Sequence, residues 1–433
     1  MDLRSELLTV EDVPEAVSDM FYRRGWTDGL PIIPPTRDRV ERMLEHYPLP
    51  PSRSLGPVPP SMSEATLEKI AINAVMAGCL PCHLPAVVAA LEAVLDPAFN
   101  LNGVQCTTSA TTPMLLFNGP VRRELGIGCG ASALGPGGRG NAVIGRALRL
   151  ALMNVGGALP GEVDKASLGQ PGKLTFCFGE NEEESPWEPY HAERGFPREE
   201  SVVTAIGVTG SIEIRDSSSH SAEGILNTVA HSITSAAFIG TTNDGDGGHP
   251  VIVLVPEHAQ KIHEAGFSKA DAKAWLWKEA RIRLDLLSEE IRESVAEWQR
   301  SNGLFEDGWV RTAKRPEDIV LVVAGGAGSK SAFISGWGGT THPVTRPLPG
   351  DAAIDHALRG IRESLGADGY KLVYRGMSGD RRCFEIVAQE DACAECLVPK
   401  LLMAQLVGDA LSADPESIDV QYPQEAGGRE QEH

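Results

Sequence analysis

VVTAIGVTG, residues 202–210, is an almost unbroken apolar run, rich in β-branched residues and closed by glycine. That pattern fits a strand buried on both faces better than one with a wet face. The serine-rich loop RDSSSHS (215–221) follows it and caps a helix predicted to run to about Thr234. VIVLV (251–255) is a second such run, entered through NDGDGG (243–248), which lacks the ligand periodicity and terminal glutamate of a calcium loop and reads as a turn. FSKADAKAWLWKEARIRLDLL (267–287) is helical in pattern, and EDIVLVVAGGAGSKSAFISGWGGTTHPVT (317–345) supplies a last buried strand. Short apolar runs bounded by glycine and separated by helices predict an α/β fold with a sheet core.

Upstream, the pattern is mixed. Residues 1–60 begin with an acidic helical segment and continue through the proline-rich HYPLPPSRSLGPVPPS (46–61), which suits an extended wrapping segment. Ser61 and Glu64 have capping-box spacing before a helix that ends at Gly78. Pro81 breaks the chain, and a second helix starts with Pro85 in its first turn. Cys79, Cys82 and His83 therefore sit at a helix-helix junction, in the C-x-x-C-H spacing that attaches haem. MLLF (114–117) and KLTFCF (173–178) read as further strands.

Composition narrows the functional classes. The 433 residues suggest two or three domains at roughly 100–200 residues each. With 59 acidic against 39 basic residues the net charge is -20, which disfavours nucleic acid and anionic membranes as partners. The acidic start has no apolar secretion core, and no apolar run approaches the ~20 residues of a membrane span. A cytoplasmic location is expected, and in that reducing compartment the eight cysteines are thiols or metal ligands rather than disulfides. Covalent haem is not expected there.

Several polar motifs lie close together in sequence. Cys106 opens a hydroxyl-rich loop with Thr107 and Thr108, Asn118 begins an NGP turn, and a glycine-rich loop leads into a helix starting near Arg139 and Asn141, with Arg146 and Arg149 in its first turns. Free N–H groups at such a helix start favour an anion. The loop is neither a phosphate-binding G-x-x-x-x-G-K-[ST] motif nor a dinucleotide fingerprint. Glu180 and Glu182 directly follow a strand and are candidate proton carriers. These residues predict a pocket in which Cys79 acts as nucleophile or redox group, with Cys106 a second candidate thiol. Thr107, Thr108, Asn118, Arg139, Asn141 and Arg146 would bind a small anionic substrate, and Glu180 and Glu182 would move protons. The reaction expected is a redox or carbon-heteroatom bond-cleaving step.

The tail changes character after residue 350. It reads as helix, two strands, a Cys393-x-x-Cys396 turn, helix and strand, and through LGADGYKLVY (365–374), DACAECLVP (391–399) and IDVQYP (418–423) it resembles the small α/β domain of NifU-like iron-sulfur scaffold proteins. That resemblance, over about 352–422, implies an iron-sulfur cluster or other soft metal at Cys393 and Cys396. Two ligands need a second chain or other donors to complete a cluster. The family resemblance itself implies a dimer, and so a homo-oligomer. It also implies a redox or sulfur-transfer protein partner. Residues about 20–350 resemble the N-terminal part of the bacterial UGSC family, named for a selenocysteine-glycine-serine-cysteine motif. The likeness lies in GWTDGLPIIPPT (25–36), TLEKIAINAVMAGCLP (66–81), LNGVQCTTSATTPMLLFNGP (101–120), GRGNAVIGRALRLALMNVGG (138–157), PGKLTFCFGENEEESPWEP (171–189) and VVAGGAGSKSAF (322–333). It implies thiol or selenol chemistry, although the selenocysteine-type motif itself is absent from this chain.

The predicted organisation is a wrapping segment (1–60), a large α/β domain (61–346), a small NifU-like α/β domain (352–422) and a disordered tail (423–433). Two functions follow: a thiol-dependent enzyme built on the large domain, or an iron-sulfur or sulfur carrier acting through the tail.

Overall fold

A computed structural model of the chain describes residues 1, 3–45, 47, 49–241, 248–301, 308–348, 358–378, 381–389, 392, 397–411 and 413–423. The fold is α/β, and the chain divides into two compact units, Met1–Pro347 and Leu348–His433.

In the first unit, β1 (Ser54–Val58) and β2 (Ser63–Thr66) form a hairpin. The main mixed sheet takes β3 (Thr112–Asn118), β4 (Cys177–Gly179), β5 (Val202–Arg215) and β6 (Val251–Leu254). A separate antiparallel pair, β7 (Arg281–Arg283) and β8 (Trp309–Arg311), intervenes. The chain then returns to the sheet with β9 (Val320–Val323), β10 (Lys330–Gly336) and β11 (Val344–Pro347). The strand order is β4-β3-β5-β10-β6-β9, with β11 also on β5. β3 and β4 are parallel, as are β6 and β9. The 14-residue β5 is long enough to hold β3 along one edge and both β10 and β11 along the other.

Alternate residues of this sheet point into a shared interior. Met114, Phe178, Ile206, Val253, Val322 and Ile334 belong to one buried cluster, although they come from six strands including both edge strands. The sheet is therefore curled, and the N–H of Asn181, just beyond β4, donates to the carbonyl of Val323 at the end of β9 (2.7 Å). The opposite faces of β6, β9 and β10, through Leu254, Leu321 and Phe333, meet the helices Ala222–Thr241, Pro256–Glu264 and Lys269–Glu279. Burial on both faces is why these strands are written as continuous apolar runs.

A second group of helices, Leu67–Ala77, Leu84–Leu95 and Arg139–Asn154, packs together and against β4 and β5. Among the described residues no single helix is long and apolar enough to cross a membrane.

Local differences from the sequence reading have physical causes. The first of these helices starts at Leu67, where the Thr66 hydroxyl accepts from Lys69 N (3.3 Å), and not at Ser61. Ser61 instead donates its hydroxyl to Val155 O (2.8 Å) from the hairpin turn. The helix ends at Gly78, in the left-handed conformation (φ 90°) that glycine allows. The segment 317–347 yields three strands rather than one, because Gly325 (φ 102°) and Gly328 (φ 135°) turn the chain between β9 and β10. The helical pattern at 267–287 stops at Glu279 and gives way to β7, while KLTFCF contributes only its end to β4. Residues 1–60 contain a second helix, Arg37–Leu44, besides Pro14–Arg23.

The second unit is a three-stranded sheet, β12 (Tyr370–Ser378), β13 (Arg381–Ala388) and β14 (Ile418–Gln421), with β13 and β14 parallel. The helix Arg359–Ala367 precedes β12, and Lys400–Leu411 makes the crossover from β13 to β14. Leu365, Leu372, Phe384, Ile386, Val407 and Val420 form its core. The predicted tail, 423–433, lies outside the described residues apart from Pro423.

The N-terminal segment is tied to the first unit by one buried ion pair. Arg146 grips Asp28 with two bonds of 2.8 Å and donates to the carbonyls of Leu30 and Pro31, and the Asp28 side chain is only 3% exposed. Arg146→Met strands a buried carboxylate, which typically costs about 3–5 kcal/mol. The expected result is a lower urea midpoint for the first unit, recovered in part by the apolar pair Asp28→Leu/Arg146→Met.

Candidate active site at the ends of β3, β4 and β9

Because β3 and β4 are parallel neighbours, Asn118 and Glu180 leave the sheet side by side. The Asn118 amide donates to Glu180 Oε2 (2.7 Å) and to Glu182 Oε1 (3.0 Å). Gly119 N also donates to Glu182 (2.8 Å), and Tyr190 N to Glu180 Oε2 (2.8 Å). The turn needs glycine at 119, since its φ is +80° and a Cβ there would lie 2.1 Å from Glu200 O.

Arg122 sits beneath this turn with all its donors engaged. It donates to Gly119 O and Glu180 O, pairs with Glu182 Oε2 (3.1 Å) and grips Glu183 with bonds of 2.9 and 3.0 Å. Arg123, on the surface, reaches Glu183 as well (3.1 Å). The three carboxylates differ in exposure: Glu180 is fully buried, the Glu182 side chain is 15% exposed and that of Glu183 46%.

Burial pushes the Glu180 carboxyl above its usual range, opposed first by the charge of Lys269 and then by the Tyr190 and Asn118 hydrogen bonds. Its Oε1 has no partner, and neither has Asn118 Oδ1 beside it. Lys269 is itself held by Glu193 (3.0 Å) and the Glu188 carbonyl (3.1 Å), and Lys273 shares the same Glu193. Glu183 goes the other way, its carboxyl held low by the Arg122 guanidinium.

The glycine-rich loop places a thiol over this cluster. Asn141 holds the loop, accepting from Gly128 N (2.7 Å) and donating to Gly128 O and Ala133 O. A Cβ at Gly128 would stand 2.4 Å from Gly137 O, so the two arms of the loop touch backbone to backbone. Gly325 N donates to Cys129 O (2.8 Å), fixing the loop to the segment after β9. At Gly179, a Cβ would meet Arg122 carbons at 3.1 Å and Cys129 Cβ at 3.4 Å, so guanidinium and thiol converge there. Burial pushes the half-buried Cys129 thiol up, the Arg122 charge and hydrogen bond pull it down, and Glu183 pushes it up again.

Of the residues singled out from sequence, Asn118, Glu180 and Glu182 come together. The others are placed elsewhere or committed to the fold. The Cys79 thiol is buried and donates to Val143 O (3.4 Å), with burial and the nearby Cys177 pushing its pKa far up. That is the setting of an inert thiol and not of a nucleophile. His83 accepts from Leu80 N (3.2 Å) and is pushed down to about 4 by burial, while Cys82 is exposed. Arg139 donates to Gly78 O (2.9 Å), Asn141 braces the loop, and Arg146 is taken by Asp28, so the expected anion site at this helix start loses Asn141 and Arg146 to the fold.

Cys106 is exposed at the end of the short helix Leu101–Cys106. Thr107 accepts from Ser109 N, and the Thr108 carbonyl accepts from Ser167 N. The charged neighbour of Cys106 is Asp164, which Arg149 and Lys173 hold, so this loop faces a different polar group from the Asn118 cluster. Cys393 and Cys396 lie outside the described residues. Among the described residues, no group of three or more His, Cys, Asp or Glu side chains is arranged to hold a metal.

Sequence reading missed Arg122 and Cys129. The available signal was Cys129 itself, set between glycines in GIGCGAS (126–132), whereas attention fell on the helix start at the far end of the same loop. No protein-family model matches the chain, and no curated protein matches it.

Two outcomes follow. Glu183→Gln removes a carboxylate that raises the Cys129 thiol and frees Arg122 to lower it. Iodoacetamide labelling of Cys129 at pH 8 is expected to accelerate several-fold, measured by peptide mass spectrometry. Glu180 titrates above the ordinary glutamate value of 4.5 when folded. Its contribution is therefore complete below that value and lost as pH rises through the folded pKa. Thermal unfolding of Glu180→Gln should show less decline from pH 5 to pH 8 than that of the parent chain.

Proposed function

We propose that the first unit is a thiol-dependent enzyme that cleaves a carbon-heteroatom bond in a small anionic substrate, with Cys129 as the nucleophile. The observation that supports this reading most is the convergence of one half-buried thiol, a guanidinium and three glutamates beyond the carboxyl ends of β3, β4 and β9. Crevices outside the carboxyl ends of strands are where α/β sheets tend to bind ligands.

Each group has a role suited to its setting. Glu183 is the most exposed of the three carboxylates and occupies Arg122 and Arg123, so a substrate carboxylate can take its place, like for like. Glu182 receives the proton of the Cys129 thiol. The thiolate attacks the carbon, the carbon-sulfur bond forms, the carbon-heteroatom bond breaks, and the leaving atom takes the electron pair and the proton from Glu182. Water then attacks the same carbon: a carbon-oxygen bond forms, the carbon-sulfur bond breaks, and the departing thiolate takes the proton that the water loses. Burial raises the Glu180 carboxyl and so disfavours a further negative charge beside Glu182 and Arg122.

Chloroacetate and neutral chloroacetamide test the proposal, because each breaks a carbon-chlorine bond as it alkylates. The full chain is expected to be labelled by chloroacetate at Cys129 with saturating kinetics, while the exposed Cys82 and Cys106 react linearly with concentration. Arg123→Gln should reduce the advantage of chloroacetate over chloroacetamide at Cys129 by several-fold. Linear labelling of Cys129, with no preference for the anion, would sink the reading.

A further inference from the structure

The first unit also holds a large apolar cavity far along the sequence from the thiol cluster. Its volume is about 620 Å³, and Val17, Phe21, Trp26, Val40, Ile72 and Met76 are among the residues that line it. Protein interiors are close-packed, and few voids exceed a water molecule. A space of this size, walled mainly by hydrocarbon, is in the range of small-molecule sites.

The cavity is half open to solvent. Residues 3–10, neither helix nor strand, run along its rim, and Leu3, Leu7, Leu8 and Val10 are on the lining, the last three exposed. The chain start is anchored at Met1 by Glu41 and Arg37, and the strap itself is held by a side chain on the helix Leu67–Ala77. Glu68, 4% exposed, accepts from Arg4 N with both oxygens (3.2 and 3.0 Å) and from Ser5 N (2.8 Å). A buried carboxylate whose bonds go to the backbone of a surface strap fixes that strap while leaving its side chains free to face the space below.

Glu6 lies exposed on the strap, and the charged and amide groups deeper on the wall, Lys69, Arg37, Asn73 and Asn154, are already partnered. The Lys69 ammonium donates to Glu64 O (2.7 Å), and Arg37 is held by Glu41 and Met1 O. Asn73 accepts from Asn154 (2.7 Å) and donates to Lys69 O (2.9 Å), and Asn154 donates to Trp26 O (3.0 Å). A charged ligand would find no free countercharge among these groups and would be costly to desolvate.

We infer that this cavity binds a neutral, hydrocarbon-rich small molecule, bordered by the strap at residues 3–10, which Glu68 latches. This site is independent of Cys129 and stands whether or not the thiol reading holds.

Nile red, a neutral apolar dye, is the probe. The full chain is expected to bind it with saturable, one-to-one fluorescence enhancement. Ile72→Trp and, separately, Met20→Trp place an indole in the space and should weaken binding at least ten-fold with the thermal midpoint retained. Met20 is half-buried on the outer helix, so its variant keeps the test meaningful if the Ile72 change disturbs folding. Glu68→Gln keeps the space but loses the latch, and dye dissociation should quicken several-fold in stopped flow. Absence of saturable binding by the parent chain, or binding by a folded filling variant as tight as the parent's, would overturn the inference.

Discussion

The hydrogen bond from Asn181 N to Val323 O joins the chain just beyond one edge strand of the main sheet to the end of the other. An open sheet in the order β4-β3-β5-β10-β6-β9 would hold β4 and β9 far apart. Curled, it seals an interior contributed by six strands and brings the ends of β3, β4 and β9 to one place. The glycine-rich loop then docks on both sides, through Gly179 N on Gly128 O and Gly325 N on Cys129 O. The Asn118 turn and the glutamates meet because β3 and β4 are parallel neighbours, and the curl adds the segment after β9, to which the thiol's loop is fixed.

The polar groups at this point are arranged against the grain of burial. Glu180 loses its water and gains two donors on one oxygen, leaving the other unpaired. An ionised carboxylate so placed would be expensive, which is why burial favours its neutral form. Arg122 divides its donors among Glu182, Glu183 and two backbone carbonyls, and it holds the Glu183 carboxyl low. Burial and one guanidinium thus push the Glu180 and Glu183 carboxyls in opposite directions.

Local chemistry in the sequence disclosed the fold class and pointed to three residues that come together in the candidate site. VVTAIGVTG and VIVLV announced doubly buried strands, Gly78 marked a helix end, and the tail revealed its helix-strand-strand-helix-strand order. Asn118, Glu180 and Glu182 were legible because each lies at or just past a strand end, where side chains must leave the sheet. Arg146 was not legible as a structural residue, since its partner Asp28 lies 118 positions away. Cys79 looked reactive at a turn, but the helix carrying Val143 covers it, and such cover is a tertiary fact. Arg122 and Cys129 were missed for the same reason, as their meeting depends on how the curled sheet aligns separate loops.

The length of β5 has a consequence for synthesis of the chain. One edge of this strand pairs with β3, made earlier, but the other must wait for β10 and β11. At about 5–20 residues per second, a ribosome needs several seconds or more to reach them. During that interval a long, apolar edge has open N–H and C=O groups, the feature that templates wrong pairings between chains. The nascent first unit is thus at its most aggregation-prone after β5 emerges and before β10 arrives, and its yield in a cell depends on what shields that edge.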